Sequence, residues 1–594
     1  MHPEEYYKQQ LAQKAEQLNA TQKSVSTFSW LRIFLAIVLL GVLYLAFAYG
    51  ETWQWLLAGT GIVAFFYLMG VHAAHKEKER RLHIHIDILN AELKALNDDY
   101  SSFLPGNEFV NVAHPYSFDL DIFGRGSIFQ MLCRTVTKDG EQRLARLLER
   151  PYATAIEIKE RQQSLQELGS MPGFMESFRV SGIRYTEEAK DMSKVLGWLR
   201  DDDKFISKKY LFVLAALIPI LTIIFGVLSV QQGDFHQGLL FVLIANWAVL
   251  LIHSKDIKQT HLLVGRSIKF IDKYEQLLAV TASATFKTAT LSHIQQQATA
   301  SVRQITEFRK LAHLFDSRQN GMVGPLMNSF FLFDIYCVLR LESWRTKSKN
   351  QLDEAFSNIS LLDSYISLAT YAFNNPENIY PVINEQSTAI EATDVKHPLL
   401  NTRSAIGNDM SLGKQEQLYL LTGANMTGKS TFIRTVGINL ILAYLGVPVR
   451  ARSFGLPLLR MYTAIRISDS VQDDISYFKA ELNRMQQLMQ TVQQSDVPYL
   501  ILLDEPLRGT NSTDKQMGTQ SIMEKLLQYK AIGIVATHDT GLCKLEQAYP
   551  SKISNYHFES EVTDTGLKFD FKLKTGGSTS NNATILMKLM GIVS

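Results

Sequence analysis

Cysteine is scarce in this 594-residue chain, which contains only Cys133, Cys337 and Cys543. The three residues lie far apart and lack metal-ligand spacing, so they form neither a disulfide framework nor a cysteine metal centre. Sparse, unpaired thiols are typical of a reducing compartment. The sequence therefore excludes a disulfide-stabilised secreted domain and predicts cytosolic thiols.

A strong charge of either sign is also missing. The chain carries 60 Lys and Arg against 58 Asp and Glu, a formal net charge of +2. No global basic field indicates nucleic-acid binding, so any DNA contact must come from local basic patches. The hydrophobic content of 46% excludes a disordered protein, and the length allows several domains.

Charge is absent altogether from four apolar stretches, which form two hairpins: residues 33–49 with 55–74, and residues 210–230 with 238–252. A helix of about 20 apolar residues crosses a bilayer, although the fourth stretch is short for this. The alternative, buried hairpins of a soluble bundle, is disfavoured because the stretches lack the polar stripe of an amphipathic helix. The pattern predicts a multi-pass protein whose partner is the lipid bilayer.

The loops inside both hairpins lack Lys and Arg, whereas basic residues flank each hairpin. By the positive-inside rule, this asymmetry places both termini in the cytoplasm and the protein in the cytoplasmic (inner) membrane. The flanking basic residues are Lys23, Arg32, Lys76, Lys78, Arg80 and Arg81 around the first hairpin, and Lys204, Lys208, Lys209, Lys255 and Lys258 around the second.

A glycine-bounded loop follows the predicted strand 418–421. Gly423, Gly428, Lys429 and Ser430 fit G-x-x-x-x-G-K-[ST], a pattern in which backbone N–H groups and a helix N-terminus bind phosphates. The Lys meets the outer phosphates, and the hydroxyl reaches Mg²⁺. The loop is predicted to bind ATP through Gly423, Ala424, Asn425, Met426, Thr427, Gly428, Lys429, Ser430 and Thr431.

Two further apolar runs end in polar residues. The run 499–503 ends in Asp504 and Glu505, and the run 531–536 is followed by Thr537 and His538. If both runs are buried parallel strands, these side chains reach the same sheet edge. Asp504 is then predicted to hold Mg²⁺ together with Ser430, Glu505 to polarise the attacking water, and His538 to sense the γ-phosphate. The alternatives are a solvated acidic turn and an ordinary surface histidine.

Five strings resemble the ATPase domain of the MutS family of DNA mismatch-repair proteins: TGANMTGKST, ISYFKAEL, LLDEPLRGTNSTD, ATHD and GGSTSNNA. The resemblance implies a homodimer in which Ser476 reaches the nucleotide of the other subunit, and it implies binding of double-stranded DNA. The chain departs from the family at Ala424 and Thr427, where the family usually has Pro and Gly. It also departs at Pro506-Leu507, which replaces the usual pair after Asp504 and Glu505. These departures bear on nucleotide geometry.

The resemblance extends upstream, because residues from Asp119 onward and residues 259–393 are similar to the helical core of MutS, which carries DNA-clamping levers. No counterpart of the mismatch-reading N-terminal domain is found. The predicted fold is an α/β P-loop NTPase domain of the ABC/MutS type, a mainly α-helical core or lever region, and four transmembrane helices. The predicted segments are an arm (1–27), hairpin 1 (28–75), a core-like segment (76–209), hairpin 2 (210–253), a core or lever segment (254–393) and the ATPase domain (394–594).

The expected function is that of a membrane-anchored MutS-like ATPase, with DNA binding and mismatch repair implied by the resemblance. An alternative is a P-loop ATPase that drives a membrane transport or remodelling machine. None of the four apolar stretches carries an Asp, Glu, Lys or Arg, and no LSGGQ-like string is present, which disfavours a solute pathway. A pseudo-ATPase is disfavoured because Lys429, Ser430, Asp504 and Glu505 are all present.

Overall fold

The protein is described from a computed structural model, which covers residues 1–185, 197–198, 205–232, 236–319, 321, 323–401, 404–424, 426–466, 477–563 and 566–578. The chain divides into two compact units. The helical unit comprises Met1–Leu93, Thr135–Glu141 and Met171–Asp363, and the sheet unit comprises Lys94–Arg134, Gln142–Ser170 and Ser364–Ser594.

Within the described residues, the helical unit is built from α-helices of 9 to 48 residues. These are α1 (Pro3–Tyr49), α2 (Thr52–Ala95), α6 (Pro172–Ile183), α7 (Lys209–Gln232), α8 (His236–Ser283), α9 (Ala289–Asp316), α10 (Val323–Phe331) and α11 (Phe333–Asn374), of which α11 is divided between the units at Asp363. Aromatic rings fill part of the core of the helical unit. The centroid of the Tyr274 ring lies 4.3 Å from that of Phe270 and 4.9 Å from that of Phe356.

The first predicted hairpin is the pair α1 and α2. Gly50 ends α1 in the left-handed conformation (φ 71°), and its N–H donates to Ala46 O, as expected of a glycine helix cap. Contacts between Phe47 and Trp55 and between Phe28 and His75, with ring centroids 4.9 and 5.0 Å apart, show that the helices run antiparallel. The arm predicted for residues 1–27 is helical and continuous with the first apolar stretch.

Within the described residues, four helices are long and apolar enough to cross a membrane: Pro3–Tyr49, Thr52–Ala95, Lys209–Gln231 and His236–Gly265. At most 22% of the most apolar window of any of them is buried inside the protein. The side chains of these windows therefore face mainly outward, unlike those of a helix in the core of a soluble bundle.

In the described part of the sheet unit, the strands form three sheets. Strands β12 (Lys574–Thr575), β9 (Ile553–His557), β4 (Leu418–Thr422), β8 (Ala531–Thr537), β7 (Tyr499–Asp504) and β6 (Arg460–Ala464) form the largest, in that order. A second has the order β1 (Val382–Ile383), β5 (Ser453–Leu456), β2 (Ile390–Val395) and β3 (Asn408–Leu412), and β10 (Ser560–Thr563) pairs with β11 (Gly566–Phe569). The α-helices of this unit are α3 (Ile128–Leu132), α4 (Lys138–Glu149, shared with the helical unit), α5 (Ala155–Gly169), α12 (Lys429–Tyr444), α13 (Tyr477–Gln493), α14 (Ser512–Leu526) and α15 (Leu545–Ala548). Short 3₁₀ helices are Asn107–Phe109 and Thr540–Lys544 here, and Ser317–Gln319 in the helical unit.

The central strands of the largest sheet are parallel, and every residue of β4, β7 and β8 is buried. Continuous apolar runs are the expected sequence of strands covered on both faces. Ala536 of β8 pairs with both Leu421 of β4 and Asp504 of β7, so the three strands end at the same level. The polar residues after these runs therefore meet at one edge, as the sequence predicts.

The segment around Asp119, upstream of the sheet, is hydrogen-bonded to β6 and to the residues directly after it. The carboxylate of Asp119, which is almost fully buried, accepts hydrogen bonds from Thr463 Oγ1 (2.6 Å), Ile465 N (3.2 Å) and Arg466 N (3.1 Å). Residues 94–134 and 142–170 belong to the sheet unit, whereas the sequence pattern predicts a core-like segment over residues 76–209. The segment bounds given from the sequence remain predictions.

Candidate active site

A cavity of about 690 Å³ opens at the edge where β4, β7 and β8 end. Its walls carry a concentration of charged side chains. The lining residues are Met426, Gly428, Lys429, Ser430, Thr431, Arg434, Ile465, Arg466, Asp504, Glu505, Arg508, Lys515, His538 and Phe571.

The loop from β4 to α12 forms one wall, and two glycines shape it. Gly423 has φ 145°, and a Cβ there would lie 2.6 Å from Phe558 O, so only glycine fits. Gly428 has φ 107° directly before α12 begins at Lys429. Thr427 Oγ1 donates to Ala424 O across the loop (2.8 Å). The loop therefore delivers the N-terminus of α12 to the cavity, the arrangement that binds phosphate groups.

Lys429 reaches back over this loop. Its buried Nζ donates to Gly423 O (2.7 Å) and Ala424 O (2.8 Å). Burial lowers the pKa of the Lys429 ammonium to about 8, while the nearby carboxylates of Asp504 and Glu505 act in the opposite direction. The ammonium is therefore held at the loop carbonyls, on the wall of the cavity.

Ser430 and Asp504 are brought together from different elements, the first turn of α12 and the tip of β7. Ser430 Oγ donates to Asp504 Oδ2 at 2.5 Å. Arg508 approaches the same aspartate, with its guanidinium donating to Asp504 O at 3.1 Å. A hydroxyl and a carboxylate are hard oxygen donors of the kind that Mg²⁺ prefers, so this pair fits the predicted metal position.

Glu505 is buried and has a left-handed backbone (φ 56°), which is uncommon for a non-glycine residue. One carboxylate oxygen contacts Lys515 Nζ, and the other accepts from the His538 backbone N–H at 3.0 Å. The carboxylate is thus fixed beside the cavity by a charged and a neutral donor.

His538 lies between Glu505 and Lys429. Its Nδ1 is 2.8 Å from Gly423 O, which can only accept, and 3.4 Å from Lys429 Nζ, which can only donate; we assign the proton to Nδ1 because the contact with the carbonyl is the shorter one. Burial lowers the pKa of His538, and the positive charge of Lys429 lowers it further, although Glu505 opposes both. The ring is therefore positioned as a neutral group at the cavity.

Of the residues predicted from the sequence, the structure brings Gly428, Lys429, Ser430, Asp504, Glu505 and His538 together around one cavity. Thr431 also lines the cavity, and Met426 projects from the loop, 81% exposed. Asn425 and Ser476 lie outside the described residues. Helix α13, which runs from Tyr477 to Gln493, comes directly after Ser476 in the sequence.

Several lining residues were not predicted, because distant parts of the chain place them. Arg434 and Arg466 both pair with Asp121, which comes from the segment upstream of the sheet. Lys515 follows the string LLDEPLRGTNSTD directly but is not part of it. Phe571, 41% exposed, lies over the loop, and a Cβ on Gly428 would meet its ring at 3.1 Å. An exposed aromatic face at this position is suited to contact a planar group such as a nucleobase.

Residues 419–592 match the family model of MutS domain V. The chain is 29% identical over 266 residues to the DNA mismatch repair protein MutS of Aquifex pyrophilus, covering 44% of this chain and 30% of the relative. The proteins of the same name from Chloroflexus aurantiacus and Clostridioides difficile are 32% and 28% identical over 206 and 250 residues, which are 33% and 41% of this chain and 21% and 26% of those proteins. The match thus spans between about a fifth and a third of the length of these curated relatives.

These matches support the resemblance to the MutS family and show it for part of the chain, which carries a MutS-type domain V beside a mostly helical N-terminal region. The domain V match covers β4, the cavity loop, β7, β8 and both carboxylates. The four long apolar helices lie outside it.

The Lys429→Ala variant is expected to lose measurable ATP turnover, because it removes the positive charge at the loop that would face the outer phosphates. Phosphate release by the purified protein measures this. Lys525→Ala, an exposed change on α14, is the matched control and should keep wild-type turnover. Near-normal hydrolysis by Lys429→Ala would contradict the site.

The Glu505→Gln variant is expected to bind ATP without turning it over, because the amide keeps the shape of the carboxylate but is a poor base. Filter retention of radiolabelled ATP, followed beside phosphate release, separates binding from turnover. The exposed Glu377→Gln change serves as control. Loss of ATP retention in Glu505→Gln would show that the carboxylate is needed for binding and not for the water.

Proposed function

We propose that the chain is a membrane-anchored, MutS-like ATPase that hydrolyses ATP to ADP and phosphate at the cavity of the sheet unit. The observation that carries this proposal is the convergence of Lys429, Ser430, Asp504, Glu505 and His538 on one cavity at the carboxyl edge of a parallel sheet. This is the edge at which ligands bind in open α/β sheets.

Each polar group has a role that follows from its position. The N–H groups at the start of α12 would donate hydrogen bonds to phosphate oxygens. The Lys429 ammonium would offset the charge of the β- and γ-phosphates by exchanging its two carbonyl acceptors for phosphate oxygens. Ser430 and Asp504 would hold Mg²⁺, which supplies charge neutralisation between the phosphates. Glu505 orients the attacking water, and neutral His538 stands by the terminal phosphate.

Anchoring in a bilayer is supported by the four long helices whose apolar windows are hardly buried. The turn at Gly50 and Glu51 between α1 and α2 lacks Lys and Arg, and basic residues flank both hairpins. We assign the protein to the cytoplasmic membrane, with the sheet unit and both termini in the cytoplasm.

DNA binding and a role in mismatch repair are supported by the relatives, which are named DNA mismatch repair proteins. The same resemblance supports a homodimer in which Ser476 of one subunit completes the site of the other, and coupling of ATP hydrolysis to movement of the helical levers. Double-stranded DNA is the proposed partner.

Topology is tested with single cysteine probes and a membrane-impermeant maleimide. Probes at Trp53 (60% exposed) and Gln231 should react in intact cells, because they lie at the hairpin tips. Probes at the exposed residues Lys78 and Lys525 should react only after permeabilisation. Labelling of Lys525 in intact cells would overturn the cytoplasmic ATPase.

The DNA part of the proposal is tested by salt-titrated binding of the solubilised protein to homoduplex, mismatched and branched DNA, with and without ATP. Binding should weaken steeply as salt rises, because phosphate contacts release counterions. ATP should change the affinity of the wild type and leave that of Lys429→Ala unchanged. If the protein hydrolyses ATP but retains no DNA at low salt, the proposal of DNA binding is wrong, whereas the proposed catalytic site is unaffected.

A further inference from the structure

Helix α10 occupies an uncharged part of the sequence outside the four long apolar helices. Between Arg318 and Asp334 there is no Asp, Glu, Lys or Arg. α10 has 9 residues, and at 1.5 Å per residue it is about 13 Å long, far short of the roughly 30 Å of a hydrocarbon core. A segment of this length and composition is a buried core helix, an interfacial helix or a re-entrant one.

The contacts of α10 are with the second apolar hairpin. Asn246 Nδ2 of α8 donates to Ser329 O at 2.5 Å, and the next residue, Trp247, donates from Nε1 to Ser329 Oγ at 3.1 Å. The Asn246 side chain is fully buried. A polar group within an apolar span is tolerated where another element satisfies it, and here the donor finds a carbonyl of α10.

The depth of this contact follows from the hairpin itself. Tyr210 of α7 and His253 of α8 are joined by a hydrogen bond of 3.2 Å, at the level where Lys208, Lys209 and Lys255 begin the charged sequence. Asn246 is seven residues before His253 along α8. Seven residues of helix are about 10 Å, so Ser329 lies about that far inside the apolar end of the hairpin.

The chain enters and leaves this region on the same side. Arg318 before α10 and Asp334 after it form an ion pair of 2.8 Å, and Asp334 N donates to Asn328 Oδ1 at 2.9 Å. Leu332, with φ 48°, makes the turn between α10 and α11. The two charges therefore lie together at the boundary between charged and apolar sequence. Helix α10 and the turn after it lie on the apolar side of this boundary.

The outer side of α10 is apolar and uncovered. Leu326 is 62% exposed and Phe331 40% exposed, beside a hairpin that exposes Leu240, Phe241 and Ile244 in the same way. An exposed apolar surface that continues from α10 along α8 matches the environment of lipid chains.

We propose that α10 is a re-entrant helix that inserts into the cytoplasmic leaflet beside α7 and α8, with lipid acyl chains covering Leu326 and Phe331. The inference rests on the membrane anchoring proposed above. It adds a membrane-inserted element to the two hairpins and connects α9 to α11 through the bilayer.

The test uses the full chain in liposomes with a bimane fluorophore on single added cysteines. Cys543 is replaced by Ser, and Cys133 and Cys337 are buried. Leu326→Cys is the test position, Phe241→Cys (74% exposed) the hairpin control, and Leu314→Cys (41% exposed) the control on α9 before the boundary. Quenching by phosphatidylcholine with a nitroxide near the headgroup end of its acyl chain is compared with quenching by aqueous iodide.

The label at Leu326 should be quenched by the lipid nitroxide as strongly as the label at Phe241, and it should be shielded from iodide. The label at Leu314 should be quenched by iodide and not by the lipid nitroxide. Lipid quenching at Phe241 together with iodide quenching at Leu326 would overturn the re-entrant helix and leave the anchor intact. Protection of Leu326 from both quenchers would indicate a second protein copy and would also overturn it. Iodide quenching at Phe241 would refute the membrane anchor itself.

Discussion

The hydrogen bond between Ser430 and Asp504 is the contact on which the rest of the site depends. It joins the first turn of α12 to the tip of β7 through two residues that are 74 positions apart in sequence. It is possible because β8 lies between β4 and β7 and pairs in register with both, with Ala536 opposite Leu421 and Asp504. A slip of either strand would separate the hydroxyl from the carboxylate and misplace Lys429 and Glu505 with them.

The charged groups of the cavity are held by one another and by the loop. Lys429 donates to loop carbonyls, Lys515 contacts Glu505, and Arg434 and Arg466 share Asp121. A triphosphate entering the cavity would compete for these cations, and the groups that change partners are also those that act on the phosphates. In the proposed function, binding of ATP and preparation of the site for hydrolysis are therefore the same rearrangement of these contacts.

Local sequence was enough to predict the strands that carry the site and the loop between β4 and α12, since buried parallel strands and glycine-bounded phosphate loops have distinctive local patterns. It was not enough for Phe571 and Lys515, which line the cavity, or for Asp121, which pairs with the lining residues Arg434 and Arg466, because no short pattern encodes these tertiary contacts. The short helix α10 was missed for a related reason, because a span of about 20 residues is the signal of a membrane helix and its 9 residues fall below it. The helix α1 extends through the predicted arm because no helix-breaking residue separates residues 1–27 from the apolar stretch.

The central claim is that Ser430 and Asp504 hold the divalent cation of bound ATP. Electron paramagnetic resonance of Mn²⁺, which takes the same oxygen ligands as Mg²⁺, tests it on the purified protein. We expect Mn²⁺ to be retained in the presence of ATP with hyperfine coupling to nucleotide phosphorus, and to be lost in Ser430→Ala and in Asp504→Asn but retained in the control Ser512→Ala. An unchanged Mn²⁺ signal in Ser430→Ala and Asp504→Asn would contradict the account.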